Sequence, residues 1–191
     1  MSSHNEDYIV WIDLELTGLE VDTCHILEVA SVITDKDLNV VSEEFNVVIH
    51  HPDEILGSMN EWCTNYHAKT GLTEESRSSK IDLKCAEEIL LDFLRKYVPK
   101  GKCPLAGNTI YMDRRFINKY MPSVDDYLHY RIIDVSTIKE LTKRWNSTVF
   151  EGVPRKVLNH RALPDIKESI QELQYYKDHI FLPSTNKTSI N

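Results

Sequence analysis

The sequence has few of the features typical of secreted and membrane-inserted proteins. Its four cysteines are widely spaced and include no CxxC pair, so we expect neither a disulfide framework nor a zinc knuckle. No stretch approaches the roughly 18 apolar residues that indicate a transmembrane helix. Residues 1–7 are polar and acidic, unlike a signal peptide or a mitochondrial leader. We therefore expect a cytoplasmic or mitochondrial protein with no membrane partner. A mitochondrial location is considered although we expect no presequence in this chain.

Basic residues are also scarce relative to acidic ones. The chain has 22 Lys and Arg against 30 Asp and Glu, and its formal net charge is −8. A protein that holds long nucleic acid usually carries a basic surface that neutralises many phosphates. The acidity therefore argues against a long duplex more strongly than against an oligonucleotide with one or two phosphates.

The first part of the chain is rich in β-branched and apolar residues. Three stretches, residues 8–16, 26–34 and 40–50, are separated by short polar segments with turn-forming residues, a pattern that predicts strands. Because the connections are short, we expect an antiparallel meander.

The rest of the chain alternates helices and short strands. Apolar residues recur at helical spacing in four stripes, with short strands expected at residues 104–107 and 130–134. The pattern predicts an α/β fold with a mixed five-stranded sheet flanked by helices. We expect a single domain over residues 1–181 and a disordered tail over residues 182–191.

Two acidic residues interrupt the apolar run of the first predicted strand. Strand side chains alternate, so Asp13 and Glu15 point to the same face. Two carboxylates on a buried face repel each other and lose hydration, which a divalent cation would offset. A strand with one face in solvent explains the same pattern equally well, so further converging acids are needed.

Asp113, His160 and Asp165 are candidates to join them. Asp113 precedes Phe116, Ile117 and Tyr120 at helical spacing, which places it on the inward face of its helix, although an Asp near a helix N-terminus is also common. His160 and Asp165 open the last helix, but helical periodicity does not put them on one face. His160 must therefore lie at or before the helix start if both serve one site, and it could equally be a capping or surface histidine.

These acids, in this order, resemble a known enzyme family. The segment Asp13-Leu14-Glu15, Asp113 in mid-chain, and His160 with Asp165 resemble the three exonuclease motifs of the DEDD superfamily, histidine branch. Longer strings are similar to the oligoribonuclease family: WIDLELTGL at residues 11–19, AGN at 106–108, KYMP at 119–122 and HYRIIDVST at 129–137.

The resemblance implies an RNase H-like fold, a homodimer, and removal of nucleotides from the 3′ end of very short single-stranded RNAs. It also implies that four acids bind two divalent metal ions, Mg²⁺ or Mn²⁺, and that His160 is the general base. The implied metal ligands are Asp13, Glu15, Asp113 and Asp165.

The resemblance further assigns residues to the substrate. It implies that Leu19 wedges between bases and that Trp62 stacks on one, a role for which an aromatic face suits any base. Tyr130, with a catalytic role, and Arg131 would come from the dimer partner, and Ser136 would help to close the pocket on a 5′ phosphate. Without the resemblance, Trp62 could equally be a core or interface aromatic, and Tyr130 and Arg131 could be ordinary packing residues.

Two positions depart from the family pattern. Thr109 stands where serine is usual, and because it keeps the hydroxyl we expect a small effect on phosphate binding. Pro164 replaces an acidic residue beside Asp165. Proline is tolerated in the first turn of a helix but costs about 3 kcal/mol deeper inside. A helix that starts at His160 or later would therefore accept Pro164.

Two other functions remain open. A DNA-directed or general 3′-to-5′ exonuclease of the same superfamily would use the same four acids, although the missing basic surface and the Tyr130-Arg131 string count against it. A catalytically silent oligonucleotide-binding module is suggested by Pro164 alone.

Overall fold

The computed structural model describes residues 5–155 and 161–181. Within these ranges the chain forms five strands, which are β1 (Ile9–Leu16), β2 (Ile26–Thr34), β3 (Phe45–Val48), β4 (Leu105–Gly107) and β5 (Ile132–Asp134). The helices are α1 (Asp53–Leu56), α2 (Glu61–Lys69), α3 (Leu72–Ser78), α4 (Leu83–Tyr97), α5 (Ile110–Tyr120), α6 (Pro122–Tyr127), α7 (Val135–Trp145), α8 (Ser147–Glu151) and α9 (Ala162–Tyr176). A π-helical turn, Lys177–Phe181, continues α9. The expected tail lies outside the described residues.

The strands form one mixed sheet in the order β3-β2-β1-β4-β5. The first three strands pair antiparallel, and β4 and β5 add parallel to β1. The predicted meander, the strand-helix alternation and the mixed five-stranded sheet flanked by helices are thus confirmed. Strand β1 lies at the centre and carries the first two acids of the sequence motif.

Two predicted strands are shorter than expected. Within the stretch at residues 40–50, only β3 pairs as a strand. Val40 makes no more than an isolated bridge to Thr34. The turn before it is held by the Asp35 side chain, which accepts the Asn39 N–H at 2.9 Å. The stretch at residues 130–134 forms a strand only over β5.

Helices cover both faces of the sheet. Val10, Ile12 and Leu14 of β1 pack in one core cluster with α4 and α5. Ile9 and Trp11, which alternate with them, pack in a second cluster with α7 and α9. Because strand side chains alternate, Asp13 and Glu15 belong to the α9 side of the sheet.

The final helix, α9, begins close enough to Pro164 to place this proline in its first turn. Arg161 is the N-cap residue and Ala162 is the first helical residue, so the helix starts after His160. Pro164 then lies in the first turn, where its missing N–H has no helical acceptor to lose. The condition under which proline is expected to be tolerated, a helix start at His160 or later, is therefore met.

The region between β3 and α4 folds as three short helices, α1, α2 and α3. Asn60 caps α2, its side chain accepting the Cys63 N–H at 2.9 Å. A small apolar cluster around Leu56, Cys63 and Leu72 holds α1, α2 and α3 against β2. Among the described residues, every helix is too short or too polar to cross a bilayer.

Candidate active site

Three of the predicted acids converge at the central strand, β1. Asp13 and Glu15 come from β1, and Asp165 comes from the first turn of α9, which packs on the same side of the sheet. Each offers a carboxylate oxygen, and these oxygens lie within 4.8 Å of one another. Hard divalent cations prefer such oxygen donors, so the cluster fits a metal ion of that class.

Asp113 approaches the same place from α5. Its carboxylate is buried, and its Oδ1 accepts the backbone N–H of Leu14 at 3.0 Å. Strand β4 pairs with β1 only at Val10 and Trp11. The Leu14 N–H lies beyond that pairing, and the Asp113 carboxylate accepts its hydrogen bond instead. The predicted inward face of α5 is confirmed, since Phe116 and Ile117 are buried beside it.

Burial and mutual repulsion disfavour the charged forms of the clustered acids. Burial, together with the charges of Asp113, Glu15 and Asp165, raises the pKa of Asp13 well above its ordinary value. Burial and the charge of Asp165 raise the pKa of Glu15 to about 8. Burial raises the pKa of Asp113 to about 7, against the lowering effect of the Leu14 N–H. Bound dications would reverse this preference for the protonated forms.

Leu19 and Trp62 line a cleft beside the acids. The cleft has a volume of about 420 Å³ and its wall includes Glu15. Leu19 is 67% exposed and Trp62 is 54% exposed, so both present apolar surface to solvent. The Trp62 ring stacks on Tyr66 with centroids 4.4 Å apart. Asn60, Cys63 and His67, which the sequence did not single out as site residues, also line the cleft.

Those three residues gave little signal in the sequence. His67 is buried, and its Nε2 lies 2.9 Å from the carbonyl oxygen of Leu16, which ties α2 to the end of β1. Nothing in the helical pattern of α2 distinguishes this histidine from a surface residue. Its position depends on how α2 packs against the sheet.

Thr109 and Ser136 meet in a second cleft of about 410 Å³. The Thr109 N–H donates to Asp134 Oδ1 at 2.9 Å, and the two hydroxyls lie 3.1 Å apart. Ser136 in turn donates to the side-chain oxygen of Asn108 at 3.1 Å. The end of β5 and the starts of α5 and α7 are therefore joined by one polar network.

Tyr130 and Arg131 lie on the surface, just before β5. The Tyr130 side chain is 75% exposed, and the Arg131 guanidinium lies 5.3 Å from its ring centroid. As far as the described residues define the two clefts, neither lining includes this pair. His160 lies outside the described residues, so the predicted general base is not described structurally.

The sequence analysis also missed Glu28 and Arg161. Glu28 is fully buried in β2, directly across from Glu15 in the sheet register, and Arg161 forms an ion pair with it. The signal was present: Glu28 interrupts the apolar run ILEVASVIT just as Asp13 and Glu15 interrupt theirs.

Comparison with known proteins gives a consistent result. A family model described as an exonuclease matches residues 10–173. The chain is 54% identical to a probable oligoribonuclease of Drosophila melanogaster over 91% of this chain and 82% of the relative. It is 51% identical to the human mitochondrial oligoribonuclease, covering 91% of this chain and 73% of the relative.

A solved structure supports the fold. The zinc-bound form of an E. coli ExoI complex with single-stranded DNA aligns with a TM-score of 0.71 at 16% identity. The alignment covers 91% of this chain and 41% of that one, so this chain spans less than half of the bacterial protein.

Proposed function

The chain belongs to the exonuclease family and, within it, to the oligoribonucleases, and on this premise we propose that it hydrolyses short RNA oligonucleotides. The proposed reaction removes 5′-mononucleotides from the 3′ end, with dinucleotides as the main substrate. The observation that carries the proposal is the convergence of Asp13, Glu15 and Asp165 within 4.8 Å, with Asp113 beside them. The relatives' names supply the substrate class.

The four acids are proposed to hold two divalent metal ions, Mg²⁺ or Mn²⁺. Their oxygen donors suit these hard cations, and four carboxylates balance two dications in charge. When bound, such ions activate water and stabilise the charge that develops on the phosphate. The residues contribute by converging from three elements, so that the ligands are held by the sheet and by two helices.

His160 is proposed as the general base, because a neutral histidine takes a proton near pH 7. It precedes Arg161, whose guanidinium lies 2.8 Å from Glu28 Oε1. Glu28 is the cross-strand partner of Glu15, so the chain enters α9 close to the acids.

The two clefts are proposed to select length. Leu19 and Trp62 would receive a base in the first cleft, where an exposed aromatic ring can stack on any base. Thr109 and Ser136 would hold a 5′ phosphate in the second cleft through their hydroxyl groups. A substrate that fills both clefts needs few cations elsewhere, which fits the acidic composition.

A homodimer is proposed to complete the second cleft with Tyr130 and Arg131 of the partner chain. In support, several large apolar side chains are exposed on and near β5, α7 and the π-helical turn, as expected for a surface that a second chain covers. They are Tyr111, Tyr130, Ile132, Leu141, Trp145 and Phe181. The proposed compartment is the cytoplasm or the mitochondrion.

The test is cleavage of 5′-labelled RNAs of two to seven nucleotides with Mn²⁺ or Mg²⁺, alongside single-stranded DNA of the same lengths. We expect the dinucleotide to be cleaved fastest and Asp113→Ala to lower kcat by at least about a thousandfold, since removing a group essential to chemistry costs that much. Asp126→Ala, an exposed acid on α6, is the matched control and should leave the rate unchanged.

Two results would contradict the proposal. Faster cleavage of DNA or of longer RNA would indicate a general exonuclease. Binding of the dinucleotide without turnover, in wild-type protein supplied with metal, would indicate a silent binding module.

A further inference from the structure

Arg161 joins two acidic residues on different elements, an arrangement that we call the Arg161 clamp (Glu28, Glu75 and Arg161). Its Nε and Nη2 donate to Glu28 of β2 at 2.8 to 3.1 Å. Its Nη1 and Nη2 also donate to Glu75 of α3 at 3.0 and 2.7 Å. The guanidinium is thus held on two sides, and its five fixed donors suit this bidentate pairing.

Glu28 is occupied by donors on both carboxylate oxygens. Besides Arg161, Asn46 Nδ2 donates to Oε1 at 3.0 Å and the Ala162 N–H donates to Oε2 at 3.2 Å. The side chain is 0% exposed. A buried carboxylate saturated in this way is a structural anion rather than a metal ligand, although it stands across from Glu15 in the sheet.

The clamp controls where α9 begins. Arg161 is the N-cap residue, and its carbonyl oxygen accepts the Asp165 N–H at 3.1 Å. The Ala162 N–H, one of the first-turn donors that lack a helical acceptor, is bound by Glu28 instead. One buried residue of β2 therefore fixes the side chain of Arg161 and the first turn that carries Asp165.

The clamp also reduces the repulsion between Glu15 and Glu28. Glu15 and Glu28 are direct cross-strand partners, and like charges in such positions destabilise a sheet. Arg161 supplies a cation at this point and leaves the acids of the cluster as the groups that need metal ions.

We propose that Glu28 and Arg161 are positioning residues for the reaction: they fix the start of α9, so that Asp165 is held in place beside Asp13 and Glu15. This proposal rests on the proposed function and adds residues that act through others. Neither side chain is proposed to touch the metal ions or the substrate.

The test replaces the buried ion pair by neutral groups of similar size, in the double variant Glu28→Gln/Arg161→Met. Removing one partner alone leaves a buried unpaired charge, whereas neutralising both is often harmless to stability. Arg161→Lys keeps the charge but not the fork of donors. Glu44→Gln is the matched control, because Lys167 of α9 bonds Glu44 at 2.6 Å in an exposed ion pair.

We expect the double variant to melt within a few degrees of wild type but to lose at least tenfold in kcat, with KM for the dinucleotide within threefold. In metal-free, substrate-free protein, the amides of Ala162, Leu163 and Asp165 should exchange with deuterium at least tenfold faster than in wild type. Arg161→Lys should show smaller changes in kcat and in amide exchange than the double variant. Glu44→Gln should match wild type in both measurements.

The proposal is overturned if the double variant keeps wild-type kcat or wild-type amide exchange. It is also overturned if Glu28→Gln alone weakens Mn²⁺ binding while exchange is unchanged, since Glu28 would then be a ligand. Because amide exchange needs neither metal nor RNA, it tests the clamp even if wild-type protein fails to cleave RNA and the proposed function is wrong.

Discussion

Thr109 adopts a backbone conformation that β-branched side chains rarely accept. Its φ is 55°, in the left-handed region, at the N-cap of α5. Such strain costs on the order of 1 kcal/mol or more and persists where surrounding bonds fix it. Here the Thr109 N–H is fixed by Asp134 and Ser136, so the network of the second cleft holds the strained residue.

We predict that Thr109→Ser stabilises the protein by several tenths of a kcal/mol and leaves dinucleotide cleavage within about twofold of wild type. Serine keeps the hydroxyl that faces Ser136 but lacks the methyl group that crowds the backbone. Thermal melting and steady-state kinetics measure the two effects. A lower melting temperature would mean that the methyl contributes packing that exceeds the strain.

At the scale of single elements, the start of α9 decides whether Pro164 impairs the site. The helix begins at Ala162, so Pro164 displaces no helical hydrogen bond. We predict that Pro164→Ala changes the free energy of unfolding by less than about 1 kcal/mol and kcat by less than about threefold. Denaturant unfolding and dinucleotide kinetics test this, and a tenfold gain in kcat would show that proline distorts Asp165.

Much of this element-level architecture could be predicted from the sequence. The alternation of side chains in β1 and the apolar stripe of α5 predicted that Asp13, Glu15 and Asp113 point inward. Such predictions are possible because burial gives a strand or a helix a regular spacing of apolar residues. The structure of residues 51–80 was harder to predict, since short helices such as α1 and α3 depend on tertiary packing. The clamp was missed because Arg161 and Glu28 are distant in sequence and meet only through the fold.

At the scale of the whole molecule, the acid cluster links stability to pH and to metal ions. Without metal, the folded pKa of Glu15 is about 8 and that of Asp113 about 7, well above their unfolded values. The folded state therefore binds more protons, and the associated stability is lost as pH rises from about 4.5 through 8. Metal binding needs the deprotonated acids and supplies the missing charge.

We predict that Mn²⁺ raises the melting temperature by about 5 °C more at pH 8 than at pH 6, relative to protein in EDTA. The reason is that protons compete with the metal ions at the lower pH. Melting curves in both buffers measure the difference, with Asp113→Asn as a variant in which it should shrink. An equal gain at the two pH values would contradict the linkage.

The position of Asp13 and Glu15 on the central strand lowers the stability of the fold. Every other side chain of β1 is apolar, and those of Val10, Trp11 and Ile12 are almost completely buried. Apolar residues at positions 13 and 15 would complete that strand and remove the mutual repulsion of the acids. Selection for folding alone would therefore favour apolar residues at positions 13 and 15, so the chain keeps these two carboxylates at a cost in stability.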